Sequence, residues 1–456
     1  MDESLINAVR TILSDVESTV PYAVGTFFNN RGLNIDLDRK DEQLASAPSN
    51  MGFVLSVFNG EHFEEFASDI INKDHLVNFC RAALDTVKIK KQKHILTPSA
   101  GGDRSFRTAE KIDPESVSLQ EKMDLLRERR ARILSGKNVV NCAVSYSEES
   151  STKIFITHNG VVREEIRRIS HFLVAYVSRG NGVKYDYFST GGTGGYELIE
   201  LPEDAIDGII STGNRLLESE HIEPGFYDVV GTPEIAGLIA HEAFGHGVET
   251  DMYLQDRARS RDYLGKNIAS ELVSIIDDPS LPGGYGSYFI DDEGNIARAT
   301  YIIKKGKFIQ GLTHKYASAV LGLPSTANGR RESFARKIYT RMSNTFFKPG
   351  VDNPDDIIAS IDRGVYLIKG LSGMEDPKGW GIQVLVLYGK EIKNGKITEK
   401  LFSPLGITGY VPDLLKSISM VGEDFKIDVG ICGKGHKEYV PVSSGGPHIK
   451  TRVRLG

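Results

Sequence analysis

The sequence predicts an α+β fold in two domains, with meandering, mainly antiparallel sheets, packed helices and a metal-motif helix early in the second domain. A chain of 456 residues exceeds one ordinary hydrophobic core. Amphipathic helical stretches alternate with short strand-like runs, and many of the 47 glycines fall where strands would turn. Glu223-Pro224-Gly225 interrupts this pattern. We therefore expect one domain over residues 1–222 and a second over 223–456.

In the N-terminal half, hydrophobic periodicity and turn residues place each element. Asn59-Gly60 and Asn159-Gly160 are strong hairpin signals. The expected helices are Glu3 to Val16, His75 to Val87, Ser118 to Leu134 and Pro202 to Glu218, and the expected strands are Tyr22 to Asn29, Leu33 to Leu37, Phe53 to Phe58, Val139 to Tyr146, Lys153 to His158, Val161 to Arg168 and His171 to Ser178, with an exposed loop over Thr97 to Ser116.

The C-terminal half begins with a short strand and a helix that has a clear start signal. Thr232 is the expected N-cap, Pro233 occupies the first helical position and Glu234 lies in the first turn. The remaining expected strands are Phe226 to Val230, Ser287 to Asp291, Thr300 to Lys304, Gln383 to Tyr388 and Lys400 to Phe402, with helices near Ile357 to Arg363 and Asp413 to Ser417.

Composition and charge exclude several classes of protein. With 55 Lys+Arg against 61 Asp+Glu the net charge is −6, which gives no support for nucleic-acid binding. At helical spacing the run Arg127 to Arg132 predicts a solvated face, since nearby glutamates dilute its charge. The 3 cysteines do not suit a disulfide scaffold. The N-terminus lacks the basic start of a signal peptide, and no apolar run is long enough to cross a bilayer. We expect a cytoplasmic protein without membrane contact.

The most informative stretch is His241-Glu242-Ala243-Phe244-Gly245-His246, on the helix that begins at Thr232. Two imidazoles can bind a metal such as zinc while an adjacent carboxylate acts as a general base. Histidines at i and i+4 lie about 40° apart around an α-helix, but these lie at i and i+5, about 140° apart. If both bind one ion, we expect a π-bulge, which Gly245 and Gly247 would permit. The alternative is a buried helix with two hydrogen-bonded histidines.

Such a site needs a third protein ligand. By chemistry the candidates are Cys432, His314, His436, His448, Glu249 and Asp251. Cys432 stands out because glycines flank it in Gly430-Ile431-Cys432-Gly433-Lys434-Gly435, a segment that can approach closely. Cys80 and Cys142 fit the role of inert, buried small hydrophobes.

The run HEAFGHGVETD, from His241 to Asp251, resembles the signature of the TldD/PmbA family, specifically its TldD-type subunit with an intact metal motif. The likeness covers about the last 270 residues and includes the segments Gly191 to Glu197, Gly286 to Gly294, Thr326 to Glu332, Arg341 to Thr345 and Asp428 to Lys434. One departure is Thr250, which stands where the family usually has glycine.

The resemblance implies a zinc metallopeptidase that degrades unfolded or extended polypeptides inside a chamber closed by two subunits, as a homodimer or with a family partner. It also implies that Zn²⁺ is bound by His241, His246 and Cys432, with Glu242 as the general base. Glu249 or Asp251 could orient a ligating imidazole, or face solvent. Arg341, Arg330, His448 and Tyr439 are candidate stabilisers of the oxyanion.

Three other functions stay open at this point. The chain could be a non-catalytic, chamber-forming partner subunit of the same family. It could be a metal-dependent amidohydrolase of a small molecule. The family has also carried the label of DNA-topology modulator, which the net charge of −6 does not support.

Overall fold

The computed structural model describes residues 2–180, 182–435 and 437–456. In the N-terminal half, the helices are α1 (Glu3–Val16), α2 (Lys73–Thr86), α3 (Leu119–Leu134) and α4 (Ala205–Leu216). The strands are β1 (Tyr22–Asp38), β2 (Glu42–Phe58), β3 (Phe63–Ser68), β4 (Arg104–Arg107), β5 (Val139–Thr157), β6 (Gly160–Arg179) and β7 (Gly182–Thr193). They form one sheet in the order β3-β2-β1-β5-β6-β4, with β7 also paired to β6.

Two helix pairs cover this sheet. The side chain of Asp2 caps α1, whose apolar face packs with α2 over Phe27 and Phe53. A capping box between Ser118 and Glu121 starts α3, which packs with α4 against the other end of β5 and β6. The sheet is antiparallel except where β4 runs parallel to β6.

Several predicted strands of this half are segments of longer ones. The two segments on either side of Arg31-Gly32 are one strand, β1, because a register shift between Asn30 and Gly32 absorbs the interruption. The polar stretch within β5 stays extended because β1 and β6 pair with it on both sides. The predicted loop over Thr97 to Ser116 contains the short strand β4.

In the C-terminal half, the helices are α5 (Pro233–Phe244), α6 (Lys315–Leu321), α7 (Pro354–Ala359) and α8 (Val411–Lys416). The strands are β8 (Gly225–Gly231), β9 (Ile275–Asp277), β10 (Thr300–Lys304), β11 (Lys307–Phe308), β12 (Gly329–Arg330), β13 (Tyr339–Thr340), β14 (Asn344–Phe347), β15 (Arg363–Glu375), β16 (Gly381–Lys393), β17 (Lys396–Phe402), β18 (Leu405–Tyr410), β19 (Met420–Val421), β20 (Lys426–Lys434), β21 (Lys437–Gly446) and β22 (Ile449–Leu455).

Two sheets of this half enclose α5. One has the order β11-β10-β9-β14-β21-β20, and the other has the order β15-β8-β22-β18-β16-β17. A further pairing of β15 with β16 closes the second sheet on itself. Helix α5 contacts β15 and β16 on one side and β14, β20 and β21 on the other, in the middle of the largest apolar core.

The predicted α+β class with mainly antiparallel sheets is confirmed, whereas the division at residue 222 stays a prediction. The expected strand over Ser287 to Asp291 is wrong: Ile290 makes only an isolated bridge to Ile296. The reason is local, since the backbone N–H groups of Phe289 and Ile290 donate to the Glu164 carboxylate instead of to a neighbouring strand. No helix of the described ranges is long and apolar enough to span a membrane.

Candidate metal centre

Helix α5 is buried almost all round, which matches its apolar sequence PEIAGLIAHEAF. Gly237 faces the backbone of β21: a Cβ at this position would lie 2.3 Å from the amide nitrogen of Gly445. Only glycine allows this approach, which holds α5 against β21. Thr232 is the N-cap as predicted, but its side chain makes no capping hydrogen bond.

The predicted π-bulge is wrong. Helix α5 ends at Phe244, Gly245 follows with φ −101° and ψ −67°, and His246–Val248 form a 3₁₀ turn. A Cβ on Gly245 would lie 2.2 Å from the Met342 sulfur, so the chain leaves the helix at a residue that has no side chain. This change of direction brings the two imidazoles together, with ring centroids 5.1 Å apart at an interplanar angle of 87°.

Cys432, on β20, completes a cluster with the two histidines. One potential ligand atom from each of His241, His246 and Cys432 lies within 4.8 Å of the others. The Cys432 Sγ and the His246 Nε2 are 3.3 Å apart. The cluster therefore joins donor atoms from helix α5, the 3₁₀ turn after it and strand β20, and Cys432 is 186 residues from His246 in the chain.

Charge separation is built into this cluster. Burial alone would raise the pKa of the Cys432 thiol, but the imidazoles of His241 and His246 lower it to about 5. Conversely, burial would lower the pKa of His246, but Cys432 and Glu249 raise it well above its usual value. Without a metal, the pair is a thiolate beside an imidazolium.

The residues present fit a zinc ion. One thiolate and two imidazoles are a zinc donor set, and three protein ligands leave a position open for water or substrate. The buried His241 Nδ1 has no hydrogen-bond partner among the described residues, so the protein alone does not satisfy this polar atom.

A buried charge network supports the cluster. Lys434 Nζ donates to Glu249 Oε2 at 2.9 Å and to both carboxylate oxygens of Asp251 at 2.7 and 2.8 Å. Glu249 Oε2 lies 3.6 Å from His246 Nδ1, and Glu249 Oε1 lies 3.5 Å from Arg341 Nε. Both acids are buried, which excludes the alternative that they face solvent.

Burial acts to raise the pKa of both Glu249 and Asp251, but the neighbouring charges differ and the two carboxyl groups end with different pKa values. Lys434, His246 and Arg341 outweigh burial at Glu249 and hold its pKa well below the usual value. At Asp251, burial and the neighbouring Glu249 prevail over Lys434, and the pKa is about 6. Thr250, between them, is fully buried and donates through its hydroxyl to the Leu312 carbonyl.

The remaining candidate ligands lie outside the cluster or cannot be placed. His314 Nδ1 hydrogen-bonds to Thr340 at 2.8 Å, and burial followed by Lys434 lowers its pKa to about 3. His448 lies between Asp424 and Tyr366, at 2.8 Å from each. His436 falls outside the described residues.

Of the candidate oxyanion stabilisers, Arg341 contacts the cluster, but both of its terminal nitrogens already donate within the protein. Its guanidinium donates to the backbone carbonyls of Cys432 and Glu438. Arg330 donates to the Met342 carbonyl at 2.6 Å and covers the Tyr288 ring. Tyr439 is 53% exposed. The oxyanion donor stays unassigned.

Glu242 lies next to the cluster, in the wall of a cavity of about 1300 Å³ that His241, His246 and Cys432 also line. Among the described residues its carboxylate has no hydrogen-bond partner. The face of β6 and β7 forms the opposite wall, so both halves of the chain contribute to the cavity. Its volume accommodates several residues of an extended peptide.

Glu375, Lys434 and the β6–β7 wall of the cavity were not predicted from the sequence. Glu375 ends β15, lines the cavity and carries two buried oxygens without hydrogen-bond partners in the described part of the chain. Burial, together with the nearby Glu242, raises its pKa to about 8 despite the opposing His246. No spacing signals Glu375, because sheet pairing alone brings it here. Lys434, two residues after Cys432, could have been noticed.

The family models that match the chain are those of a metallopeptidase class. Two family models match the chain: the PmbA/TldA metallopeptidase central domain over residues 112–217 and the C-terminal domain over residues 224–454. The chain therefore belongs to the TldD/PmbA family, as its motifs indicated.

Related proteins of other organisms are also named metalloproteases. A metalloprotease of Methanothermobacter thermautotrophicus is 36% identical over 74% of both chains, and one of Methanocaldococcus jannaschii is 30% identical over 91% of this chain and 92% of its own. A zinc metalloprotease TldD homolog of Saccharolobus solfataricus is 34% identical over 50% of this chain and 51% of its own.

Solved structures share the fold at low identity. A protein of Thermotoga maritima described as a putative modulator of a DNA gyrase has a TM-score of 0.82 at 19% identity, covering 100% of both chains. TldE from Thermococcus kodakarensis has a TM-score of 0.71 at 18% identity, covering 98% of this chain and 100% of its own.

Proposed function

We propose that this protein is a zinc-dependent metallopeptidase that hydrolyses peptide bonds of unfolded or extended polypeptides. In this proposal His241, His246 and Cys432 bind Zn²⁺ and Glu242 is the general base. The observation that carries it is the convergence of two imidazoles and a low-pKa thiol beside an unpartnered carboxylate, in a cavity large enough for a peptide.

Each residue has a distinct part in this mechanism. Bound zinc supplies a Lewis acid that polarises the scissile carbonyl and acidifies the attacking water. The Glu242 carboxylate accepts the proton of that water and delivers it to the leaving amine nitrogen. It is free for this task because no other described residue hydrogen-bonds to it. The thiolate of Cys432 lowers the net charge at the site, which predicts a slower peptidase than one with three neutral ligands.

Strand β20 offers a binding edge for an extended chain. Among the described strands it pairs with β21 alone, so its other edge has no strand hydrogen-bonded to it, although β7 lies close by and the Cys432 carbonyl accepts from Arg341. Its residues from Asp428 to Lys434 line the cavity. A substrate backbone that pairs with this edge is bound largely independently of sequence. This geometry suits unfolded polypeptides, because their backbone N–H and C=O groups are free to pair, whereas those of a folded domain are mostly paired already.

The proposal includes a cytoplasmic dimer, in which a second subunit closes the chamber. The second subunit is either another copy of this chain or a family partner such as TldE, the protein whose structure shares this fold. We include no nucleic-acid partner, since the net charge is −6. Size-exclusion chromatography with light scattering, with and without a candidate partner, tests the assembly.

Metal content and substrate choice test the function. Purified protein is expected to hold one equivalent of zinc by elemental analysis, and to cleave an unstructured peptide much faster than a small amide. Cys432→Ser is expected to lose zinc, while Cys142→Ser, at a buried thiol in the other half, is expected to retain it. Zinc-free protein that stays inactive after zinc is added would support a silent partner subunit instead. Faster turnover of small amides would support the amidohydrolase.

A further inference from the structure

The cavity wall opposite the metal cluster is an aromatic surface from the N-terminal half. Cross-strand pairing places Phe172, Val174 and Tyr176 of β6 beside Ser189, Tyr187 and Tyr185 of β7, and all six line the cavity. The Phe172 and Tyr187 rings are 5.4 Å apart, and the Tyr176 and Tyr185 rings are 5.7 Å apart. The other face of the same strands packs on α3 and α4. The aromatic face is therefore the face of these strands that lines the cavity.

This surface is held rigidly next to the site. The Tyr187 hydroxyl hydrogen-bonds to Glu234, in the first turn of α5, and lies 2.8 Å from the Gly370 carbonyl of β15. Lys369, next in the chain to Gly370, pairs with Asp186. These contacts attach β7 to the helix that carries His241 and Glu242, so the distance between the aromatic face and the cluster is fixed.

Apolar side chains also lie on the facing wall. Leu371 and Met374 of β15 and Ile431 of β20 line the cavity and are 40%, 66% and 68% exposed, respectively. An exposed Ile431 next to Cys432 is costly unless something covers it during function. A peptide paired to β20 would lie close to the aromatic face, because β7 packs near β20.

The charges in the cavity disfavour acidic side chains. Its lining includes the carboxylates of Glu242, Asp428 and Glu438. Apart from the histidines, the basic residues of the described lining are Arg257 and Lys434, and Lys434 is bound to two carboxylates. Aspartate or glutamate in a substrate would therefore meet like charge.

We propose that the β6–β7 face, with Tyr176 and Phe172 as its accessible rings, is a side-chain subsite that selects large apolar residues near the scissile bond and rejects acidic ones. This inference rests on the proposed peptidase function. Backbone pairing at β20 would hold the substrate, and the aromatic subsite would choose which bond is cut.

Peptides that differ at one position test the subsite. Phe, Leu, Ala or Asp is placed in turn at each of the three residues on either side of the cleaved bond, and kcat/KM is measured. At one position or more, Phe is expected to exceed Ala roughly tenfold or more, with Asp below Ala, since burying a ring against aromatic side chains gains that much.

Variants connect this preference to the wall. Tyr176→Ala and Phe172→Ala are expected to lower the Phe-to-Ala ratio at least threefold, and Tyr176→Phe to retain it. Val183→Ala, at a 61% exposed residue of β7 outside the cavity, is the control and should keep the wild-type ratio. Unchanged zinc content and circular dichroism show that each variant is folded. A ratio that both alanine variants leave unchanged, or equal cleavage of Asp and Phe peptides, would overturn the subsite.

Binding separates the two proposals. Fluorescence anisotropy measures labelled Phe and Ala peptides on Glu242→Gln protein, and tighter Phe binding that Tyr176→Ala abolishes supports the subsite even if no peptide is ever cleaved. Absence of cleavage of every peptide by zinc-loaded wild type rejects the peptidase function alone. Equal binding of both peptides rejects the subsite alone.

Discussion

The guanidinium of Arg341 donates a hydrogen bond of 2.8 Å to the backbone carbonyl of Cys432. Arg341 is 1% exposed, and the same group contacts the Glu438 carbonyl and Glu249, which in turn lies against His246. One buried side chain therefore connects the strand that carries the thiol with the turn that carries an imidazole. The distance between the Cys432 thiol and the His246 imidazole therefore depends on this contact as well as on the fold.

Replacing Arg341 should loosen the metal centre without removing a ligand. In Arg341→Met the two carbonyls lose their donor and Glu249 loses one of its cations, so we expect zinc affinity to fall roughly 10–100-fold. Competition with a chromophoric chelator measures this affinity. Arg336→Met, at an exposed arginine whose ion-pair partner in the described part of the chain is Glu332, is the matched control. Wild-type zinc affinity in a folded Arg341→Met protein would show that the contact does not position the cluster.

Local spacing predicted the residue types of the candidate metal centre but not the backbone conformation that brings them together. The His241-to-His246 motif gave the residue types, and the family resemblance gave Cys432, but the i, i+5 spacing pointed to a π-bulge. The structure instead ends the helix before Gly245, where the Met342 sulfur and the His241 carbonyl occupy the space that a side chain would need. Met342 is 97 positions from Gly245 in the chain, and sequence periodicity carries no information on such a contact.

Long-range contacts also explain why some predicted strands differ from the observed ones. The alternation of apolar and polar residues predicts separate strand segments. In the structure β5 and β6 continue through the polar stretches, because each is paired along its length. Conversely, Ser287 to Asp291 has strand-like composition, but the Glu164 carboxylate takes its amide donors. Local composition predicted which segments are extended, and long-range partners decided where strands begin and end.

Glu242→Gln should separate metal binding from catalysis. The substitution keeps the size of the side chain and removes its basicity, so we expect unchanged zinc content with peptide cleavage reduced at least 100-fold. Glu128→Gln, on the solvated helix α3, serves as a control that should cleave normally. Elemental analysis and a continuous peptide assay provide the two measurements. Cleavage at the wild-type rate in Glu242→Gln would remove this residue from the mechanism.

The N-terminal sheet should lose stability in acid through His171. Burial, aided by Arg129, lowers the pKa of this imidazole from 6.5 to about 4, while Nδ1 donates to the Ser145 carbonyl at 2.8 Å. The folded-state pKa of this base is depressed, so its contribution is present above pH 6.5 and is lost as the pH falls towards 4. Between pH 6.5 and 5 the loss is roughly 2 kcal/mol.

His171→Asn retains a donor and removes this titration. Thermal melts at pH 7.5 and pH 5 should therefore show a larger drop in melting temperature for wild type than for the variant. His62→Asn, at a half-exposed histidine of the β2–β3 turn, controls for histidine loss in general. Equal drops in wild type and His171→Asn would mean that His171 does not titrate differently in the folded and unfolded chains.

The three cysteines should differ sharply in reactivity when the metal is removed. The pKa of Cys432 is about 5, whereas burial raises that of Cys80 to about 12 and that of Cys142 to about 11. Since the thiolate is the nucleophile, iodoacetamide at pH 6.5 should alkylate Cys432 in the chelator-treated protein and leave the other two unmodified, as read by peptide mass spectrometry. Added Zn²⁺ should protect Cys432, because a sulfur that binds the ion is no longer free to react. The rate without metal should rise through pH 5 rather than near 8.5, the ordinary thiol value. Alkylation of Cys432 that zinc does not slow would exclude this sulfur as a ligand.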